Sequence, residues 1–371
     1  MTKIAFFLPN FMQGGAETVT VSIANFIAEN NLNAKIYFLV ASTHGPLKGK
    51  INSRINILNL NCKKTLFSLM PISKFLLKEK PDVLFSTLKE NNAISILAKI
   101  ITLSKTKIVI REANTLSSEF SREKNILQQI KKILVKYLYP KADLIIALSN
   151  HMKKDIISFI GKNNVNISVI YNPINMDYIH KLSLIKNEDY IEFNKTRKNI
   201  VSIARLYKSK GYLTILEALA LYKEKNNNFH FYAIGDGPEK KQLKDFSNKL
   251  GLSEHVSFLG FKENPFNLLT QADCFILASL YEGMPNSLLQ AMALDIPVIC
   301  TNSPGASAEV LGYGSYGKLI EISDSINLSK NLDDILSNDY KANTKKVILE
   351  RHNHEVILTK YMNSILGILK K

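Results

Sequence analysis

One loop of this 371-residue chain carries residue types that could act on a phosphorylated ligand. Glu282 supplies a carboxylate, and the adjacent Gly283 lets the backbone approach a ligand closely. Pro285 suits the first turn of a helix, because its missing N–H would have no intrahelical partner there. Amides at the positive end of a helix favour phosphate groups, and a carboxylate favours hydroxyl groups. The loop therefore suits a ligand with both, such as a sugar nucleotide; turn chemistry without a function is the alternative.

A second loop concentrates positive charge. Arg205 and Lys210 follow a β-rich run and precede a helix that begins near Tyr212, which is where a diphosphate would bind. Preorganised positive charge of this kind stabilises the negative charge that develops on a leaving phosphate. Lys208 could replace Lys210, and a solvated basic loop without a ligand is the simpler alternative.

Two glycine-rich turns complete the candidate phosphate-binding residues. Gly14 and Gly15 lie between the first β-rich run and the first helical pattern, so their amides can approach a phosphate without a Cβ in the way. Gly235 opens a Gly-Asp-Gly turn, but Lys240 stands where a dinucleotide-binding fingerprint would have its third glycine. The sequence therefore disfavours a nicotinamide enzyme.

β-rich runs alternate with helical patterns along the whole chain. Those of the first half are Ile4–Leu8, Lys35–Val40, Asn56–Leu60, Val83–Ser86, Ile108–Arg111, Leu144–Leu148 and Ile167–Ile170. Those of the second half are Asn199–Ile203, His230–Ile234, Val256–Leu259, Cys274–Ala278 and Val298–Thr301. The alternation predicts an α/β protein with two Rossmann-like, doubly wound parallel sheets. Because ligands bind beyond the carboxyl ends of such strands, we expect the active site in a cleft between the two domains.

Turn residues and composition place the domain boundary. A strand ends in turn chemistry at Tyr171–Asn175, and residues 180–196 are polar and mixed. We therefore expect a first domain over residues 1–178 and a second over residues 179–354. Residues 355–371 form an amphipathic C-terminal helix.

Composition excludes several classes of protein. Hydrophobic residues at 46% and charged residues at 22% are typical of a globular protein. The first apolar run stops at Pro9, too soon for a signal peptide, and no run reaches the ~18–20 residues of a spanning helix. We expect a cytoplasmic protein. Cys62, Cys274 and Cys300 are too few and too far apart for a disulfide framework or a metal site, and no metal is predicted.

Positive charge is concentrated in the first half of the chain. Residues 1–180 contain 24 lysines and arginines against 11 acidic residues, whereas residues 181–371 contain 24 against 21. The asymmetry predicts an anionic partner, and solubility or a lysine-rich genome composition is the alternative. No aromatic-interleaved basic platform or helix-turn-helix pattern supports nucleic acid, so we expect an anionic membrane surface.

Two basic amphipathic segments, residues 62–78 and 124–138, favour that membrane surface. The second segment places most of its apolar side chains on one helical face: Ile126, Leu127, Ile130, Ile133, Leu134, Tyr137 and Leu138. An ordinary core-packing helix with a solvated lysine face is the alternative for this segment.

Four motifs occur in an order that resembles the retaining glycosyltransferases of the GT-B fold, family 4. They are Gly14-Gly15-Ala16-Glu17, Arg205 with Lys210-Gly211, Gly235-Asp236-Gly237 and the Glu282 loop. The resemblance covers nearly the whole chain and implies transfer of a sugar from a nucleotide donor. It also implies that residues 1–178 bind the acceptor, that residues 179–354 bind the donor, and that the C-terminal helix packs back on the first domain.

The resemblance assigns roles to single residues. Arg205 and Lys210 would clamp the donor diphosphate, while Glu282 would contact the donor sugar and support the positive charge that develops at the anomeric centre. The remaining donor contacts are expected at Gly14, Gly15, Gly235, Gly283, Met284, Asn286, Gln290, Gly305 and Ala306. No cofactor or metal is expected besides the nucleotide sugar itself.

Two positions depart from the family pattern. Gln290 stands where the family has a glutamate that accepts hydrogen bonds from the nucleotide ribose, and a neutral amide keeps one acceptor oxygen. Ala113 stands where many relatives have a histidine that contacts the donor sugar. Arg111, Glu112 and Asn114 are the polar groups available there for the acceptor or the sugar. A surface ion pair between Arg111 and Glu112 is the alternative.

The expected function is that of a retaining glycosyltransferase in the assembly of bacterial surface polysaccharide or glycan. It would move a hexose or N-acetylhexosamine from a UDP-sugar to a saccharide linked to a polyprenyl diphosphate. We expect a peripheral enzyme held on the cytoplasmic face of the inner membrane by Lys131, Lys132 and their neighbours. A sugar-nucleotide epimerase on the same scaffold and a non-catalytic nucleotide-sugar-binding partner of a polysaccharide complex are the alternatives.

Overall fold

The chain divides into two compact units in a computed structural model that describes residues 1–121, 126–186, 190–337, 340 and 342–370. Unit 1 comprises Met1–Pro173 and Glu355–Lys371, and unit 2 comprises Ile174–His354. The division lies a few residues before the expected position after residue 178. Ile174 lies in unit 2, and its amide donates a hydrogen bond to the carbonyl of His352 in the same unit.

Unit 1 is built on a seven-stranded parallel sheet. Up to residue 173 its elements are β1 (Thr2–Leu8), α1 (Gly15–Asn30), β2 (Ala34–Val40), β3 (Asn56–Asn59), α2 (Leu69–Glu79), β4 (Val83–Thr87), α3 (Lys89–Thr102), β5 (Lys107–Arg111), α4 (Leu116–Ser121), α5 (Ile126–Leu138), β6 (Leu144–Ala147), α6 (Asn150–Ile160) and β7 (Ile167–Val169). The strand order is β3-β2-β1-β4-β5-β6-β7.

Unit 2 is built on a six-stranded parallel sheet. Its elements are α7 (Met176–Ser183), β8 (Lys198–Ile203), α8 (Tyr212–Lys223), β9 (Phe229–Ile234), α9 (Lys240–Lys249), β10 (Val256–Gly260), α10 (Phe266–Leu269), β11 (Cys274–Leu277), α11 (Asn286–Ala293), β12 (Val298–Thr301), α12 (Ser307–Val310), β13 (Lys318–Ile320), α13 (Ser325–Ser337) and α14 (Lys345–Arg351). The strand order is β10-β9-β8-β11-β12-β13.

The central strands are continuous apolar runs because helices cover both faces of each sheet. In β1, Ile4–Leu8 is fully buried. Phe6 lies opposite Phe38 of β2 and Phe85 of β4, and its ring centroid is 5.6 and 5.3 Å from theirs. These rings form the centre of the unit 1 core.

The last helix, α15 (His354–Gly367), completes the core of unit 1. Its buried residues Ile357, Leu358, Tyr361 and Ile365 pack in the same hydrophobic cluster as β1 and β2. The expected return of the C-terminal helix to the first domain is therefore confirmed.

The prediction of two doubly wound parallel sheets is confirmed, and each of the twelve predicted strands forms. β13 was not predicted, because it has three residues and only Ile320 is buried, too little to produce an apolar pattern. Parallel strands place their carboxyl ends at one edge of each sheet, where the candidate residues lie. None of the helices within the described ranges is long and apolar enough to span a bilayer.

Candidate active site

The loop that follows β11 holds the Glu282 carboxylate in place. Glu282 is 8% exposed, and its Oε1 atom accepts hydrogen bonds from Lys210 Nζ at 2.5 Å and from the Ser279 hydroxyl at 2.7 Å. Ser279 is fully buried, and its carbonyl oxygen accepts a hydrogen bond from the Thr301 hydroxyl. One charged and one neutral donor on a single oxygen orient this carboxylate strongly.

The loop that follows β12 packs directly on the Glu282 loop. The Glu282 amide donates to the Pro304 carbonyl at 2.9 Å, and the Ala306 amide donates to the Gly283 carbonyl at 2.9 Å. Gly305 has φ +130°, and a Cβ there would lie 2.1 Å from the Glu282 carbonyl oxygen. Only glycine fits this approach. The expectation that Ala306 offers its amide to a diphosphate is corrected: that amide is bonded within the protein and Ala306 is fully buried.

The basic loop after β8 presents its two candidate cations differently. Lys210 pairs with Glu282, whereas Arg205 is exposed and has no acidic partner among the described residues. The Arg205 guanidinium lies 5.1 Å from the centroid of the Tyr207 ring. The fold thus brings the Lys210 and Glu282 side chains together and leaves the charge of Arg205 available to an anion.

The glycine turn after β9 packs against the basic loop. Gly235 has φ +141°, and a Cβ there would lie 2.0 Å from the Ala204 carbonyl oxygen. Its amide donates to the Gly260 carbonyl at 2.8 Å, and the Leu206 amide donates to the Asp236 carbonyl at 2.9 Å. This glycine allows two loops to approach each other, and its amide is used within the protein. A donor contact at Gly235, which is half-buried, stays a prediction.

The first helix of unit 1 begins as expected but already has a carboxylate at its N-terminus. α1 starts at Gly15, and a Cβ on Gly14 would lie 2.2 Å from Glu17 Oε2. The Gly14 amide donates to the Met12 carbonyl at 2.9 Å. The expected phosphate contact through the Gly14 amide is therefore corrected, and a contact through Gly15 stays a prediction.

Four further predicted donor contacts surround Glu282 in sequence and in structure. Gly283 and Met284 are buried in the same loop. Asn286 is the first residue of α11, and Gln290 lies one turn further along that helix; both are half-buried. The fold places all four on the loop and helix that carry Glu282, and their contacts with a donor stay predictions.

Arg111 lies at the end of β5 and is committed to the interior of unit 1. It is 1% exposed, and its guanidinium donates to Tyr361 Oη at 3.2 Å, Thr87 Oγ1 at 3.2 Å and Asn172 Oδ1 at 2.6 Å. The surface ion pair with Glu112 is wrong, because both side chains are 1% exposed. The expected contact of Arg111 with acceptor or sugar is corrected for the same reason.

Glu112 is also buried, and it folds the loop that follows β5. Its Oε1 atom accepts hydrogen bonds from the amides of Ala113 at 2.9 Å and Asn114 at 3.2 Å, and its Oε2 atom accepts one from the Tyr139 hydroxyl at 2.5 Å. Burial raises the pKa of the Glu112 carboxyl to about 7. A direct contact of Glu112 with a ligand is therefore corrected, and Asn114, which is half-buried, is the member of the predicted trio that reaches the surface.

Metal-binding side chains do not cluster in the described part of the chain, where no three His, Cys, Asp or Glu residues are placed to hold an ion. Cys274 and Cys300 are buried, and burial raises the pKa of the Cys300 thiol to about 12. These thiols are consistent with the predicted inert cysteines.

Two known families match the chain in succession. The family described as Glycosyltransferase Family 4 matches residues 13–178, and the family described as Glycosyl transferases group 1 matches residues 185–350. The chain belongs to glycosyltransferase family 4.

Curated relatives align with the glycosyltransferase over most of both chains. It is 28% identical over 355 residues to the N-acetylgalactosamine-N,N'-diacetylbacillosaminyl-diphospho-undecaprenol 4-alpha-N-acetylgalactosaminyltransferase of Campylobacter jejuni, with 91% of each chain covered. It is 26% identical over 335 residues to the UDP-Gal:alpha-D-GlcNAc-diphosphoundecaprenol alpha-1,3-galactosyltransferase of Escherichia coli, with 85% of this chain and 84% of the relative covered. Both relatives are named for transfer to a saccharide on a diphosphoundecaprenol carrier.

Solved structures resemble the glycosyltransferase over its full length. HepE of Anabaena in complex with UDP-glucose superimposes with a TM-score of 0.82 at 19% identity, covering 99% of this chain and 100% of that chain. The lipopolysaccharide outer core galactosyltransferase WaaB superimposes with a TM-score of 0.72 at 19% identity, covering 99% of each chain. At these identities the likeness establishes the fold.

Sequence reasoning missed three residues that orient the candidate groups of the glycosyltransferase. Ser279 and Thr301 stabilise the Glu282 loop, and Tyr139 holds Glu112. A serine at a strand end, three residues before a carboxylate, is a signal that could have identified Ser279. Tyr139 offers no such signal, because it is 27 residues from Glu112 in sequence and reaches it only in the folded protein.

Proposed function

We propose that this glycosyltransferase transfers a hexose or N-acetylhexosamine from a UDP-sugar to a saccharide carried on a polyprenyl diphosphate, with retention of anomeric configuration. The carrying observation is the Lys210–Glu282 pair with the exposed cation of Arg205 on the same basic loop. The names of the Campylobacter and Escherichia relatives support the acceptor class. The HepE complex with UDP-glucose supports the nucleotide.

The three side chains match the charges that develop during transfer. When the anomeric C–O bond of the donor breaks, the electron pair stays on the diphosphate and positive charge develops on the sugar. Arg205 and Lys210 stabilise the first charge, and Glu282 stabilises the second. The acceptor hydroxyl forms the new C–O bond, and its proton passes to the departing diphosphate. Because two side-chain cations supply the positive charge, we propose that the reaction needs no metal ion or cofactor.

Product analysis with purified enzyme tests this function. UDP-GlcNAc, UDP-GalNAc, UDP-glucose and UDP-galactose are incubated separately with a polyprenyl-diphosphate-linked saccharide, with and without EDTA. We expect stoichiometric formation of UDP and of a lipid-linked saccharide longer by one sugar, unchanged by EDTA. Conversion of the UDP-sugar to its epimer would favour the epimerase. Donor binding without either product would favour the non-catalytic partner.

We also propose that unit 1 binds an anionic membrane surface, because α5 leaves its apolar face uncovered. Within α5 only Val135 and Leu138 are buried. Six apolar side chains of the predicted face are 43–79% exposed: Ile126, Leu127, Ile130, Ile133, Leu134 and Tyr137. The core-packing alternative is therefore wrong for this face. Lys124, at the start of the predicted segment, lies outside the described residues.

Neighbouring elements of unit 1 also carry exposed apolar side chains. α3 packs against both α2 and α5. These elements and the turn before α2 add further exposed apolar side chains, namely Leu66, Phe67, Met70, Leu77, Ile101 and Leu103. Exposed lysines accompany them at Lys131, Lys132 and Lys136. Apolar groups favour the acyl boundary of a bilayer, and lysines favour anionic headgroups, so the combination fits a peripheral site on the cytoplasmic face of the inner membrane.

Vesicle co-sedimentation tests the membrane proposal. We expect binding to phosphatidylglycerol-containing vesicles and weak binding to phosphatidylcholine vesicles. The double variant Leu127→Ser with Ile130→Ser should reduce binding at least tenfold. The double variant Lys131→Glu with Lys132→Glu should do the same, because each lysine near such a surface contributes about 1 kcal/mol. Lys241→Glu with Lys244→Glu, on the exposed face of α9 in unit 2, is the charge-matched control. Binding that does not depend on the anionic lipid content of the vesicles would refute the proposal.

A further inference from the structure

The loop after β5 is folded around its own buried carboxylate. Glu112 binds the amides of the next two residues, Ala113 and Asn114, through one oxygen. The Glu112 amide donates to the Ile146 carbonyl at 3.0 Å, which joins the start of the loop to β6. The backbone amides of residues 113 and 114 are thus used within the loop and do not remain to meet a ligand.

A buried hydrogen-bond network holds that carboxylate from the other side. The Tyr139 hydroxyl donates to Glu112 Oε2 and accepts a hydrogen bond from Asn92 Nδ2 at 3.2 Å. Asn92 Nδ2 also donates to the Arg111 carbonyl at 3.1 Å, and Asn92 Oδ1 accepts from the Ser86 hydroxyl at 2.9 Å. The network connects β4, α3 and β5, so the carboxylate cannot move without breaking several buried bonds.

Asn114 is the polar side chain that this arrangement leaves open. It is half-buried at the carboxyl edge of the sheet. Its backbone amide donates to Glu112, but its side-chain amide has no hydrogen-bond partner among the described residues. A side-chain amide offers two donors and one acceptor oxygen, which matches a pair of sugar hydroxyls. The three groups proposed to serve the donor, Arg205, Lys210 and Glu282, all belong to unit 2.

We propose that Asn114 recognises hydroxyl groups of the saccharide acceptor, and that Glu112 is a positioning residue that holds Asn114 without touching the substrate. The inference rests on the proposed function, because it assigns these residues to the acceptor of that reaction. Glu112 positions the loop through the two backbone amides it binds, and the side chain of Asn114 contacts the acceptor hydroxyl groups.

The pH dependence of acceptor binding should report the Glu112 carboxyl. Its pKa is raised to about 7, first by burial and also by the charge of Glu119 of α4, which pairs with Lys89 of α3 at 2.8 Å. Above about pH 7 the carboxylate accepts charge-assisted bonds from both loop amides and from Tyr139. Acceptor KM should therefore fall as pH rises through about 7 in the wild type.

Kinetics of single and double variants test the assignment. Asn114→Ala should raise the acceptor KM about tenfold, the effect of removing hydrogen bonds to a substrate. Glu112→Gln should raise it several-fold and should abolish its change near pH 7. In the double variant, Glu112→Gln should add almost nothing to Asn114→Ala, because it acts through that residue. Donor KM and acceptor-independent hydrolysis of the donor should stay unchanged throughout.

Several results would overturn the inference. They are an acceptor KM within twofold of wild type in Asn114→Ala, fully additive effects in the double variant, or a change in donor KM of the same size. Ser117→Ala, an exposed position on α4, is the matched control and should leave all constants unchanged. If Glu112→Gln does not fold, Tyr139→Phe removes one bond to the carboxylate and should still raise the acceptor KM. Absence of transfer by the wild type would instead refute the proposed function.

Discussion

The carboxyl edges of the two sheets carry the same residue types but use them in opposite ways. In unit 2, Glu282 and Lys210 pair near the surface, and Arg205 is exposed with no acidic partner among the described residues. In unit 1, Arg111 and Glu112 also follow a buried strand, yet both are 1% exposed and hydrogen-bonded within the protein. Arg205 therefore stays available to an anionic ligand, whereas the hydrogen bonds of Arg111 commit it to the interior of unit 1.

The difference arises from what covers each edge. Arg111 meets Tyr361 of α15 and Asn172, which follows β7, and both are far away in sequence. A buried guanidinium is tolerated only when its donors are paired, so these partners stabilise it inside the fold. The Arg205 guanidinium lies beside the Tyr207 ring, and no acidic side chain in the described part of the chain pairs with it. The same side chain is thus structural in one unit and a candidate for chemistry in the other.

Removal of Arg205 should produce the largest loss of activity. Arg205→Ala should lower turnover roughly 10²–10³-fold, as for loss of one charge-stabilising donor, with little change in stability because the side chain is exposed. Steady-state transfer kinetics measure the first effect, and urea unfolding measures the second. Lys241→Ala, which removes an exposed charge from α9, is the control. Near-normal turnover of Arg205→Ala would mean that the diphosphate binds elsewhere.

Removal of Arg111 should produce the opposite pattern. Arg111→Ala removes three buried hydrogen bonds, to Tyr361, Thr87 and Asn172, which should lower the free energy of unfolding by roughly 3 kcal/mol. Urea titration followed by circular dichroism measures it. Tyr361→Phe removes one of these bonds together with the hydrogen bond from the Tyr361 hydroxyl to the Ile170 carbonyl, and it should have a smaller effect than Arg111→Ala. A fully stable Arg111→Ala variant with weak acceptor binding would restore the role expected from the sequence.

The stability of unit 1 should depend on pH through Glu112. The carboxyl has a raised pKa in the folded state, about 7 against 4.5, so its stabilising contribution is fully present below about pH 4.5 and is lost as pH rises through about 7. Relative to Glu112→Gln, the wild type should lose roughly 2 kcal/mol of unfolding free energy between pH 5 and pH 8. Denaturant midpoints at both pH values measure this difference. If the unfolding free energy changed equally with pH in the two proteins, the raised pKa of the Glu112 carboxyl would be contradicted.

Removal of the Ser279 hydroxyl should have the smallest effect. Ser279→Ala removes the hydrogen bond that the Ser279 hydroxyl donates to Glu282 Oε1. Because this bond is made to a charged group, we expect turnover to fall about tenfold. Ser287→Ala on α11 is the nearby control and should be neutral. Unchanged turnover in Ser279→Ala would mean that Glu282 stays oriented without the Ser279 hydroxyl. That result would weaken the contrast between the two edges, because the unit 2 carboxylate would then depend on fewer contacts.

Much of the fold and the family could be predicted from the sequence, but not all of the strands. Apolar runs such as Ile4–Leu8 predicted the strands, because a strand covered on both faces must be continuously apolar. The order of the glycine, basic and acidic motifs predicted the family. β13 escaped notice because its three residues carry too little periodicity.

The sequence by itself determined the fold class, the family and the residues at the two sheet edges, because these depend on local patterns of apolar, glycine and charged residues. Only the tertiary structure decided which of those residues are available. Glu282 and Lys210 are 72 positions apart and Arg111 and Tyr361 are 250 apart, so neither pairing leaves a local signal. The exposed face of α5 has the same cause: its apolar pattern fits a core helix, and the absence of a partner in the described residues appears only in three dimensions.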